Sequence, residues 1–76
     1  MARAIITSHA AAVTPSDTVN LSKPGTLYIG VSGDVKVLTM GGDTVTYLGV
    51  PIGFLPVAVL RVFATGTTAT NILINY

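Results

Sequence analysis

The sequence contains no cysteine, no tryptophan and no glutamate, and among its 76 residues only four are Lys or Arg and three are Asp. Without cysteine there can be no disulfide scaffold and no thiolate zinc site. The basic residues, Arg3, Lys23, Lys36 and Arg61, are too few and too scattered to form the positive stripe of a general nucleic-acid binder. Charged residues make up 9% of the chain, against roughly 25% in an average soluble protein. Half of the residues are hydrophobic, which is incompatible with intrinsic disorder at so low a charge.

A long unbroken hydrophobic run is also missing. The longest uncharged apolar window, Thr44 to Leu60, contains Gly49, Pro51, Gly53 and Pro56, whereas a spanning helix needs about 20 apolar residues without such breakers. At the N-terminus Arg3 is followed by Ala4-Ile5-Ile6, but Thr7, Ser8 and His9 interrupt before a signal-peptide core can form. We therefore expect no membrane partner, and assembly in the cytoplasm. Catalytic groups are equally scarce. His9 is the only histidine, and Asp17, Asp34 and Asp43 are dispersed, so neither a tuned acid–base pair nor a metal-ligand cluster is expected. Asp34 and Asp43 each follow a glycine, where Asp suits a turn for backbone reasons alone. Gly41-Gly42-Asp43 lacks the strand–loop–helix setting of a phosphate cradle. The expectation is a protein that is not an enzyme and holds no cofactor or metal.

What the chain has is β chemistry. Val, Ile and Thr account for 27 of the 76 residues, the composition of a pleated surface. Alternation predicts strands over 26–32, 35–40, 44–48, 57–64 and 70–75. Gly33-Asp34 is expected to form a tight hairpin turn, Gly41-Gly42-Asp43 a second turn, and 65–69 a third around Gly66. Gly49–Pro56 is expected to be an apolar loop, and Thr14-Pro15-Ser16-Asp17 a turn leading into a loop or one extended strand over 18–21. The predicted architecture is all-β: a small antiparallel β-sandwich or barrel built from a meander of about five strands. An irregular N-terminal arm (1–13) precedes this single domain (14–76).

Below about 70–80 residues a single core is marginal unless disulfides, a metal or a partner chain support it. With the first two unavailable, association is the expected remedy, giving a homo-oligomer. The run Val57–Ala64 points the same way. Its two faces, Val57, Val59, Arg61 and Phe63 against Ala58, Leu60, Val62 and Ala64, are both mostly apolar, where a strand with one wet face would alternate cleanly. The strand therefore either lies between two layers or meets a neighbouring subunit. Phe54, Leu55, Val57, Val59, Arg61 and Phe63 are accordingly the candidate subunit-interface residues. Tyr28, Tyr47, Phe54, Phe63 and Tyr76 fit packing better than a stacking platform, with a small carbohydrate-binding module as the alternative.

Val13-Thr14-Pro15-Ser16-Asp17, followed by Leu27-Tyr28-Ile29-Gly30-Val31-Ser32-Gly33-Asp34-Val35, resembles the head spike base proteins of tailed phages and gene transfer agents. The likeness continues through Gly41-Gly42-Asp43-Thr44-Val45-Thr46-Tyr47, Val50-Pro51-Ile52-Gly53, Leu55-Pro56-Val57 and Arg61-Val62. It ends in Ala64-Thr65-Gly66-Thr67-Thr68-Ala69-Thr70. The resemblance implies a virion structural protein on the capsid surface, a cyclic ring (a pentamer, since vertices are fivefold) that binds the major capsid protein and carries a spike or fibre protein. A capsid decoration or cement protein at another lattice position is the alternative. Within that reading the N-terminal arm, with Ile5, Ile6 and His9, is the candidate for capsid docking, where many modest contacts add through avidity.

Overall fold

Val, Ile and Thr recur at alternate positions through most of the chain, and the computed structural model, which describes residues 9–76, turns these runs into strands. They are β1 (Ala10–Ala12), β2 (Gly25–Val31), β3 (Gly33–Thr39), β4 (Thr44–Val50), β5 (Gly53–Val62) and β6 (Thr70–Asn75). All the pairings are antiparallel. The strands form one open sheet in the order β1-β6-β2-β5-β3-β4. The expected all-β antiparallel class is therefore observed, and no helix occurs among the described residues.

The topology departs from a plain meander. β2 and β3 are separated by a single residue, Ser32, yet they do not pair. β5 lies between them, so Gly33-Asp34 opens a strand and is not a hairpin turn. β5 is the long strand that makes this possible. Its first part, from Gly53 to Val59, pairs with β2, and its last part, from Val59 to Val62, pairs with β3. Gly53–Pro56, expected to be loop, is thus strand. The missing amide of Pro56 falls where the β2–β5 register shifts, a place where a ladder bond is already interrupted.

Leu27, Ile29, Val35, Val37 and Val59 are completely buried, and Val62 is nearly so. They come from both halves of the sheet, β2 on one side of β5 and β3 on the other, and they belong to one cluster with Ile72, Ile74, Val50 and Ala69. A flat sheet could not enclose its own face, so the two halves fold towards each other about β5. Each fully buried side chain of this size contributes about 1.5–3 kcal/mol. No polar or charged side chain is buried among the described residues.

The apolar residues on both faces of β5 now have a cause. Val59 and Val62 are three apart, yet both point into the core. The register with β3 slips by one residue between them, from Leu38↔Arg61 to Thr39↔Val59. Such a bulge reverses which face subsequent residues occupy. The strand does not bury two faces. It changes phase halfway.

Candidate interaction surfaces

Residues 13–24 run from β1 to β2 and are tied to the sheet at several points. The amides of Ser16 and Leu21 donate to the carbonyls of Val62 (2.9 Å) and Leu60 (2.7 Å), on the side of β5 that β2 leaves vacant. Ser16 Oγ accepts from the amides of Thr18 and Val19, the turn expected of that sequence. Arg61 Nε donates to Asn20 Oδ1 (2.8 Å), and its Nη1 donates to the Asp17 carbonyl (3.2 Å). Asp17 then accepts from the Thr65 amide (2.9 Å) and the Thr65 hydroxyl (2.7 Å). Those two bonds, the amide first, hold the Asp17 carboxyl below the ordinary value of 3.8. Phe63 lies between two cations, with Lys36 Nζ at 5.0 Å and Arg61 at 5.3 Å from its ring centroid.

On the outer face of the other half-sheet, cross-strand register lines up Ala12, Leu73, Tyr28 and Phe54 across β1, β6, β2 and β5. Tyr28 and Phe54 meet edge to face at 5.1 Å. Phe54 is nonetheless 71% exposed, and Ile52 just before it 62%. β1, β6, β2 and Gly53–Leu60 of β5 contain no charged side chain, so this face is uncharged, with the polar Thr26, Asn71 and Asn75 beside its apolar side chains. Alternate residues of a strand share a face, which is why the burial of Ile72 and Ile74 sends Leu73 outward.

The six residues expected at a subunit interface separate accordingly. Phe54 is exposed on the outer face. Leu55 and Val57 are half-buried and pack against the core, and Val59 lies fully inside it. Val59 is thus corrected from interface to core: it continues the inward alternation of Leu55 and Val57, ahead of the phase change that lies between it and Val62. Arg61 and Phe63 are half-buried and engaged in the contacts to residues 17 and 20 and to Lys36. Of the docking candidates, Ile5 and Ile6 lie outside the described residues. His9 is exposed and stacks on Tyr76 at 5.4 Å, with the two backbones exchanging hydrogen bonds of 2.9 Å each. β1 extends this pairing. Three alanines carry no strand propensity, so nothing in the residue types marks it.

No pocket opens among the described residues, and no three His, Cys, Asp or Glu side chains gather there. Among the described residues no helix is long and apolar enough to cross a membrane. What the fold offers are surfaces: an uncharged face with exposed aromatic and aliphatic side chains, a pinned loop and two strand edges. No protein-family model matches the chain, and no curated protein does. Among solved structures, the chain is similar to a chain in a structure described as the capsid of a native GTA (gene transfer agent) particle, computed with C5 symmetry. The two are 33% identical, and the match covers 93% of this chain and 84% of that one with a TM-score of 0.83.

Proposed function

Because the chain belongs to the family of this gene transfer agent capsid chain, we propose that it forms the base, at a capsid vertex, that anchors a head spike or fibre. Family membership carries the coarser part: a virion structural protein that associates with the capsid as an oligomer. The finer part is supported by the fivefold symmetry used for the related particle and by the order of motifs along the sequence. A ring of identical copies needs two different surfaces on each subunit, so that contacts run head to tail and close. The role is non-catalytic.

The uncharged outer face around Phe54 is the side that meets the major capsid protein. The N-terminal arm enters the sheet at β1, on the same half-sheet as this face, so arm and face would engage one partner together. A spike or fibre protein would occupy the opposite end of the ring. Cryo-electron microscopy of intact particles tests the reading, with about five copies at each vertex expected from the fivefold axis. Copies at every capsomer junction would instead indicate a cement protein. For the docking face, Phe54→Asp should remove the protein from purified particles while leaving the oligomer it forms alone unchanged. Undiminished occupancy of that variant would rule the face out.

A further inference from the structure

We propose that the two free edges of the sheet, β1 and β4, are the joint between copies, so that β4 of one subunit adds as an antiparallel strand to β1 of the next. The inference rests on the ring reading and specifies its contact. Among the described residues nothing pairs with the outer side of either strand.

The backbone groups each edge presents follow from the bonds already made. On β1, His9 exchanges two bonds with Tyr76, and the Val13 amide donates to the Ile72 carbonyl. Antiparallel pairing alternates, so Ala10 and Ala12 turn their N–H and C=O groups to the free side. On β4, the residue opposite Thr46 is Lys36. Lys36 spends its amide on Thr67 Oγ1 and its carbonyl on the Phe63 amide, both away from β4. The Thr39 amide donates to the Asp43 carbonyl, which sets the same phase. Thr44 and Thr46 therefore direct their backbone groups outward.

Three features make these two edges fit each other. The sheet has six alternating strands, so its end strands run in opposite directions. Copies repeated head to tail in one orientation then meet antiparallel, like every pairing inside the sheet. The pleat also continues. Ala12 lies in register with Leu73 on the outer face, and Thr46 with Lys36, between the buried Val35 and Val37. The free-edge residues on both strands thus carry outer-face side chains, and no face flips at the joint. Finally, neither edge strand carries a charge or a proline. Monomeric proteins place charges or proline on exposed edges, whereas β1 is AAA and β4 is TVTYLGV, without either. Symmetric β4–β4 pairing would stop at a dimer, whereas the β4–β1 joint propagates head to tail, the kind of contact a cyclic ring repeats.

The test is sedimentation velocity of the purified full-length chain and two variants. Thr46→Pro removes an outward amide and no bond to β3, a site where an edge strand tolerates proline. Thr46→Lys guards the same edge without a proline. Both should keep the wild-type β circular dichroism and sediment as the 7.8 kDa monomer, while the wild type sediments as an oligomer. The chain has no cysteine of its own, so Ala12→Cys combined with Thr46→Cys should give a ladder of disulfide-linked multimers on oxidation. If Thr46→Lys remains as oligomeric as the wild type and the double-cysteine chain gives no ladder, the joint is elsewhere and the ring reading survives. If the wild type itself is a monomer, the ring reading fails, and the joint with it.

Discussion

Asp17 shows how much one exposed carboxylate can organise. It joins residues 13–24 to the turn after β5 through Thr65, while its own carbonyl holds Arg61. Its folded pKa lies below the ordinary 3.8, so the stabilisation is complete above that value and is lost as pH falls through the lowered folded one. Thermal melts from neutral to acidic pH should show wild type losing an advantage over Asp17→Asn as pH drops past the carboxylate range, with the two converging at the acid end. Val59 makes the opposite kind of contribution, through packing alone. Val59→Ala should cost about 2 kcal/mol in urea denaturation, from lost burial plus the cavity left behind. Gly30 sits so close to Asn71, itself at φ 53°, that a Cβ would lie 2.7 Å from the Asn71 Cβ and carbonyl oxygen. Gly30→Ala should therefore destabilise by about 1–3 kcal/mol, measured the same way, because backbone cannot yield as a side chain can. None of these three roles is written in the residue types. Ser16-Asp17 reads as a turn whichever partner it finds, and Gly30 reads as a strand interruption until Asn71 is seen opposite.

At the level of elements, β-branched runs marked most strands correctly, because Val, Ile and Thr at alternate positions leave few other options. Three features were hidden. β1 is built from alanines and exists only because β6 offers an edge. The Gly33-Asp34 pair looks like a hairpin because turn chemistry is local, whereas the insertion of β5 between β2 and β3 is a long-range choice. The bulge near Leu60 cannot be seen from alternation, since a phase change and a strand buried on both faces give the same pattern. Hydrogen exchange checks the arrangement. Amides bonded inside β2 and β5 should exchange slowest, and those of Ala10, Ala12, Thr44 and Thr46 at the free edges should exchange fast in a monomeric variant.

For the molecule as a whole, the legible signal was scarcity of charge, and it bears on association more than on fold. The outer face and both edges lack charged side chains. Oligomers joined through the edges should sediment alike at about 0.1 M and about 1 M salt, where the screening length falls from about 10 to about 3 Å. A steep loss of assembly with salt would point instead to the charges at Lys36 and Arg61. Of the six residues expected at a subunit interface, Phe54 stays exposed, and the chain itself uses the other five. Apolar content alone cannot say which greasy side chains a fold keeps.

The way the amino-terminal segment is fastened has a mechanical consequence. A tug on residue 9 along the strand is directed along β1, while the bonds from His9 to Tyr76 and from Val13 to Ile72 lie across that direction. They are loaded together in shear, and the Asn20–Arg61 and Asp17–Thr65 ties stand in series behind them. A tether leaving the domain at this point would resist traction as a rivet row does, and would not peel open one bond at a time.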